Sequence, residues 1–492
     1  MPANTTHPEY DANLPFWLRA RDVLAGEDAM KSAGVRYLPR LDSQTDEEFE
    51  AYRMRASFFN ATARTADGFV GLVFQRSPFV KTPEGGSALG TAMAAFRNDA
   101  DMVGTPLVNY AKRVVHEIIG VGRAGTLIDW ESEVENRVYA SLYTAEDILN
   151  WRVGRINGRN IPTMIVLHEA CGACLPGSKD EFQTVEQEQI RVLKLVPGPV
   201  EASSGRQAYS YVVEIWRRSD PKAKGHGQEK AADWILAESR VPLRLGKPLP
   251  LIPFVFHGPH HSRPCIEKLP LADIMAVNLD HYRLNADYKH GVHFTALPTA
   301  WVSGFDKSAS LRIGSSTAWV TESVGATAGF LEFKGQGLST FERAMDRDER
   351  LMAVLGSRLL EGTKKVGETA QSIELRHSGE NSILGNVAVN VSASLTQVLR
   401  WAYWWNSTEA SPDEVTSEQV LLELNTDFST KGLTAQEIQS LVAAWQAGAI
   451  SRDTMTELFR RGQVLPEGRS VVEEAGLIAG EKVGALAGNT KT

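Results

Sequence analysis

Cysteine is scarce in this chain, with three among 492 residues. So few thiols exclude a disulfide scaffold and point to a reducing compartment. An excess of positive charge is missing too. Lys and Arg number 52 against 60 Asp and Glu, a formal net charge of −8, which argues against a general nucleic-acid-coating protein. The same balance does not exclude a protein that DNA passes without sticking. No run approaches the roughly 18–20 apolar residues of a membrane span. The first residues, Met1-Pro-Ala-Asn-Thr-Thr-His7, lack the basic and apolar regions of a secretory signal. The expectation is a soluble protein made inside the cell. What is present, 43% apolar and 23% charged residues, is ordinary for a globular chain, and 492 residues predict two to four structural regions.

Catalytic signatures are also missing. There is no nucleophile elbow, no H-E-x-x-H, no kinase set and no dinucleotide fingerprint after a strand. Gly362-Thr-Lys-Lys-Val-Gly-Glu-Thr369 has the outline of a phosphate loop, but Glu368 stands where that motif needs its lysine. A carboxylate there repels phosphate, and the segment reads as a loop between two helices. His168, Cys171 and Cys174 have zinc-like spacing, and His257, His260, His261 and Cys265 could complete a site. One C-x-x-C without a second close pair is weak support for a four-ligand site. Buried thiols and a surface histidine cluster are the plainer reading. Acidic runs such as Asp46-Glu47-Glu48, Glu186 with Glu188, and Glu473-Glu474 read as solvated faces. A helix pair over 434–462 outlines a helix-turn-helix, yet its second helix offers only Arg452, Arg460 and Arg461 to DNA. We expect no enzyme activity, no cofactor and no metal.

The stretch from Thr340 to Asn406 organises the rest. Ser339 and Glu342 fit a capping box before a helix over Phe341–Glu361, whose charges alternate over a thin stripe of Met345, Met352, Leu355 and Leu359. Such a helix is too polar for one globular core and suits a wall. The glycine-bounded loop Gly362–Gly367 follows, then a longer helical run ending at Trp401–Trp405. Earlier in the chain, the first 40 residues read as irregular. Thr45 and Glu48 cap a helix running towards Phe69, and a second helix covers Pro106–Ile119. Thr126–Trp130 reads as a strand. From 138 to 256 short β runs dominate (Arg137–Leu142, Thr163–His168, Ile190–Val196, Tyr209–Arg217, Trp234–Glu238), with one helix expected at Ala145–Val153. A helix over Leu271–Gly291 and a glycine- and serine-rich insertion over Gly304–Gly337 precede the organising stretch. Val420–Leu424 reads as a strand, and Thr434 with Glu437, then Ser451, open two final helices.

Certain segments, in this order, carry a resemblance. They are Phe16-Trp-Leu-Arg with Tyr37-Leu-Pro-Arg-Leu, and Tyr52-Arg-Met-Arg-Ala-Ser-Phe-Phe-Asn leading to Gly71-Leu-Val-Phe. Gly122-Arg-Ala-Gly-Thr-Leu-Ile-Asp129, Ile148-Leu-Asn-Trp151, Leu269–Gly304 with Pro298, and Glu368-Thr-Ala370 follow. From about residue 14 to 470 the chain resembles a tailed-bacteriophage portal protein, of a portal family labelled as a domain of unknown function.

The resemblance implies an α+β portal fold: an α/β wing, a two-helix stem, a small β-containing clip and a helical crown, assembled as a ring typically of twelve subunits. By element order the wing would take residues 1–269 and 371–432. The stem helices would be 270–292 and 340–361, with the clip at 293–339 between them. The tunnel loop would be 362–370 and the crown 433–492. The implied function is a channel at one capsid vertex of the virion for packaging and ejecting double-stranded DNA. The implied partners are the terminase large subunit, then a head–tail adaptor, with the major capsid and scaffolding proteins, and no membrane. Synthesis would be in the host bacterial cytoplasm. Lys364 and Lys365, between Gly362 and Gly367, would touch the DNA backbone or merely hold the loop in solvent; phosphate contacts carry no base information. Trp301, Phe305, Trp319, Phe330 and Phe333 are many large apolar groups for the clip, meeting a neighbour or partner, or forming a small core. Another oligomeric head–tail protein and a metal-dependent enzyme built on the cysteines and histidines are the alternatives.

Overall fold

The computed structural model describes residues 3–132, 134–174, 184–200, 207–218, 234–296, 299–304, 324–331, 337–358, 383–426, 428, 435–461, 464 and 474–478. The chain is α+β and divides into two compact units. One comprises 1–18, 66–270 and 358–492, the other 19–65 and 271–357.

The larger unit is built on α9 (Ile383–Asn406). Leu384, Val387, Val391, Leu395, Val398 and Ala402 recur at spacings of three and four and are buried. Each such side chain taken from water contributes roughly 1.5–3 kcal/mol. They pack on α5 (Ala88–Asn98), α6 (Leu107–Val121) and a three-stranded antiparallel sheet. That sheet has β2 (Ala124–Glu131) between β3 (Arg137–Thr144) and β11 (Phe254–His257). Helix α6 ends where Gly122 enters the left-handed region at φ 81, its N–H reaching the carbonyls of Glu117 and Ile118. Glycine adopts that conformation without steric cost and turns the chain straight into β2. A short pair, β1 (Phe79–Lys81) with β14 (Leu421–Glu423), lies beside α9.

A five-stranded antiparallel meander follows: β4 (Ile148–Ile156), β5 (Arg159–Cys174), β6 (Thr184–Val200), β7 (Gln207–Arg218) and β8 (Trp234–Arg240). One row crosses the whole sheet, Ile148–Leu167–Arg191–Ile215–Glu238. Its Arg191 is held by Glu169 at 2.7 Å. Asp129 of β2 takes Arg240 at 3.0 Å, so a buried carboxylate ties the two sheets together. A tight hairpin, β9 (Leu243–Arg244) and β10 (Lys247–Pro248), turns at Leu245 and Gly246, both with positive φ. Two helices, α10 (Ala435–Gln446) and α11 (Arg452–Arg461), follow. The Ser451 hydroxyl accepts the Thr454 amide at 3.0 Å, as a cap should.

The smaller unit is built on α7 (Ala272–Ala296), with Ile274, Met275, Asn278, Leu279, Tyr282 and Ala286 buried. Helix α3 (Asp46–Arg55) lies against it, and Tyr52 donates to Asp287 at 2.6 Å. The expected capping box is present: Thr45 accepts from the Glu48 amide while Glu48 accepts from the Thr45 amide. Helix α8 (Leu338–Arg358) completes the pair described below.

Four expectations are corrected. The first 40 residues are helical, as α1 (Pro8–Ala25) and α2 (Glu27–Ala33). Pro15 lies inside α1, and wholly buried Trp17, Ala20 and Val23 supply packing that outweighs the lost hydrogen bond. The helix begun at Thr45 stops at Arg55, and α4 (Ala61–Val73) is separate. Ala145–Val153 is no helix: it is a turn entering β4, whose Trp151 pairs with Ile165. Ser339 is no cap, because α8 starts at Leu338 and the Glu342 carboxylate is engaged elsewhere.

Candidate assembly and channel elements

Helices α7 and α8 run antiparallel, as their contacts show. His281 Nε2 lies 3.4 Å from Glu349, Asn285 Nδ2 lies 3.9 Å from Met345 sulphur, and Tyr288 donates to Glu342 at 2.8 Å. As the number rises on α7 it falls on α8. Further along, Gly291 meets Leu338, whose Cδ2 would stand 2.8 Å from any added Cβ. Among the described side chains helix α8 buries only Asp348 and Met352 outright. Arg343, Asp346, Arg347, Arg350, Leu351 and Val354 are exposed. Of the apolar stripe read from the sequence, Met345 lies against Asn285 of α7, Met352 is buried and Leu355 half-buried, and Leu359 lies outside the described residues.

Between these helices stands a hairpin of β12 (Thr299–Ser303) and β13 (Thr327–Leu331), paired Thr299 to Leu331 through Ser303 to Thr327. Trp301 faces Gly329, where the indole lies 3.1–3.4 Å from the place a Cβ would take. Glycine here is what lets the ring lie flat on the partner strand. Trp301 is 45% exposed and Phe330 58% exposed, so the hairpin presents apolar surface at its described positions. Phe305, Trp319 and Phe333 lie outside the described residues. So do Gly362, Lys364, Lys365 and Gly367 of the expected tunnel loop.

Two of the histidines considered for a metal, His257 and His168, are committed otherwise. His257 is fully buried; its Nε2 meets Thr126 at 2.7 Å and its Nδ1 meets Ser394 at 2.7 Å. Thr126 in turn meets Tyr110 at 2.8 Å, and Ser394 donates to the Val391 carbonyl at 2.9 Å. Burial pushes the His257 pKa down to about 3, which fixes the ring as neutral. The shared site imagined for His257 with His260 and His261 is thus corrected: both of its nitrogens are spent. His168 pairs with Asp147 at 3.4 Å, which raises its pKa. The side chains of Cys171 and Cys174 lie outside the described residues. Among the described residues no group of three or more His, Cys, Asp or Glu side chains is arranged to hold a metal.

A groove of about 680 Å³ lies beside α4 and α6, with Val70 and Leu142 among its lining. Lys112, Arg113 and His116 stand along it with Asp67 and Glu117 among them, so it presents charge of both signs. Arg113 is neutralised by Asp101 at 3.1 Å. No helix of the described residues is long and apolar enough to cross a membrane.

A family model described as a domain of unknown function (DUF4055) matches residues 270–406. The match starts two residues before α7 and ends on the last residue of α9. No curated protein matches the sequence. Among solved structures, the chain is similar to one from the neck of an empty GTA particle computed with C6 symmetry. That likeness has 13% identity and a TM-score of 0.36, over 90% of this chain and 99% of that one. A chain from the neck of the native GTA particle, computed with C12 symmetry, gives 10% identity and 0.34, over 87% and 98%. One from the virion of a native gene transfer agent particle gives 12% and 0.34, over 90% and 99%. At these scores the superposition is loose and carries no functional argument.

Proposed function

We propose that this chain is a portal protein, a subunit of a ring that forms the DNA channel at one vertex of a phage or phage-like capsid. The observation that carries the reading is the antiparallel pair α7 and α8 joined through an exposed two-stranded hairpin, in the sequence order that a stem–clip–stem element requires. A helix that buries one stripe and leaves its charged remainder open suits the wall of an assembly. The hairpin adds a second point of support. Two strands alone are marginally stable in water, and half-exposed Trp301 and Phe330 suit a contact with the terminase and later with an adaptor. Lys364 and Lys365 would face the passing duplex, touching phosphate without reading bases. The chain's net charge of −8 keeps that contact slight. In this reading the chain performs no catalysis and holds no metal.

The test is omission. Capsid and scaffolding proteins assembled without this chain are expected to give closed shells that take up no DNA when terminase and ATP are supplied. Shells that fill equally well without it would overturn the proposal.

A further inference from the structure

Helix α8 alternates its charges along the sequence, yet the fold sorts them by sign. Most of its carboxylates are taken up by the protein itself. Glu342 accepts from Tyr288 at 2.8 Å, Glu349 lies 3.4 Å from His281 Nε2, and Asp348 is buried. Asp346 is exposed. Arg343, Arg347 and Arg350 are all left on the exposed surface.

Their spacing of four and then three puts the three arginines on one helix face. Residues 342, 345 and 349 mark the side turned to α7. With 3.6 residues per turn, the arginines fall on the opposite side, along about 10 Å of helix axis. Arg347 is 77% exposed and reaches its sequence neighbour Asp348 at 3.3 Å. Among the described residues, no ion pair engages Arg343 or Arg350. Like charges at these spacings repel one another along a helix. An anion from outside the helix relieves that repulsion.

We infer that Arg343, Arg347 and Arg350 form a phosphate-binding track for double-stranded DNA on the open face of α8. The inference rests on the ring reading, in which this helix stands in the channel wall. A guanidinium offers a fork of N–H donors that matches two phosphate oxygens. Such contacts release counterions from the duplex and read no bases, so they hold any sequence and weaken as salt rises. Repeated in every subunit, the track makes a local basic band in a chain whose net charge is −8.

The experiment is fluorescence anisotropy of a labelled linear duplex titrated with the assembled full-length chain at several salt concentrations, with electron microscopy of the same samples. Arg343→Gln/Arg350→Gln keeps good helix formers at both positions. It is expected to form rings like the parent, to bind the duplex about ten-fold weaker at about 50 mM salt, and to show a shallower salt slope. Arg152→Gln/Arg155→Gln removes two exposed arginines from β4 and so controls for net charge; it should bind like the parent. Parent affinity in the α8 variant, or an equal loss in the β4 variant, overturns the inference. So does an α8 variant that no longer assembles, which would make the stripe a contact between copies. Parent rings that bind no duplex would overturn this inference alone. A parent that forms no rings would overturn the ring reading and this inference with it.

Discussion

Arg244 holds the end of helix α9 through Trp404. Its Nε donates to the Trp404 carbonyl at 2.9 Å, and its guanidinium lies 4.0 Å over the Trp404 ring. A second arm, Nη2, donates to the Ser407 carbonyl at 2.7 Å. The last carbonyls of a helix have no partner within it, and a planar fork can serve two of them while stacking. Replacing Arg244 by Ala is expected to cost on the order of 2 kcal/mol. Arg244→Lys should recover little, because a point charge neither forks nor stacks. Denaturant melts of both variants check this.

The His257 chain sets an acid limit. The ring is neutral in the fold, with a pKa of about 3 against an ordinary 6.5, so the unfolded chain binds the proton first. Its contribution to stability is whole above pH 6.5 and is lost as pH falls towards 3. The slope reaches at most about 1.4 kcal/mol per pH unit. Unfolding midpoints at pH 7, 5.5 and 4.5 should fall in that order, and His257→Gln should flatten the fall. An unchanged slope would count against the arrangement.

Asn278 on α7 meets three groups at the start of α4. Its Oδ1 accepts from the Thr62 amide at 3.1 Å and the Thr62 hydroxyl at 2.8 Å, and its Nδ2 donates to the Phe59 carbonyl at 2.8 Å. Asn278→Ala leaves buried partners unsatisfied and is expected to destabilise by about 2–4 kcal/mol. Asn278→Asp keeps the acceptor and loses the donor, so it should fall between alanine and the parent. Thermal unfolding followed by circular dichroism would rank the three.

Gly125 leaves no room for a side chain. A Cβ there would stand 2.2 Å from Phe254 Cζ and 3.0 Å from Ile148 Cδ1. Gly125→Ala forces the β2–β11 packing apart and is expected to cost about 1–3 kcal/mol. A parent-like melting curve would show that Phe254 can move aside.

Local patterns made part of this fold legible. The three-and-four spacing of α9, the Thr45–Glu48 box and most strand cores of the meander follow from periodicity and capping chemistry. Of the apolar stripe of α8, Met345 meets α7 and Met352 is buried. The misses were non-local. Ala145–Val153 contains residues that favour a helix, yet pairing of Trp151 with Ile165 across the sheet decides its state. Pro15 looked like a break because burial of Trp17 cannot be read from its neighbours. Among the expected site residues, Trp301 and Phe330 fall on facing strands of one hairpin.

The central claim is a ring with a channel, and electron microscopy of the purified full-length chain tests it most directly. The account predicts closed rings, about twelve-fold by resemblance, with an axial hole of at least about 20 Å, the width of a duplex. A chain that stays monomeric or dimeric at high concentration and with scaffolding protein present, or rings without a hole of that width, would contradict it.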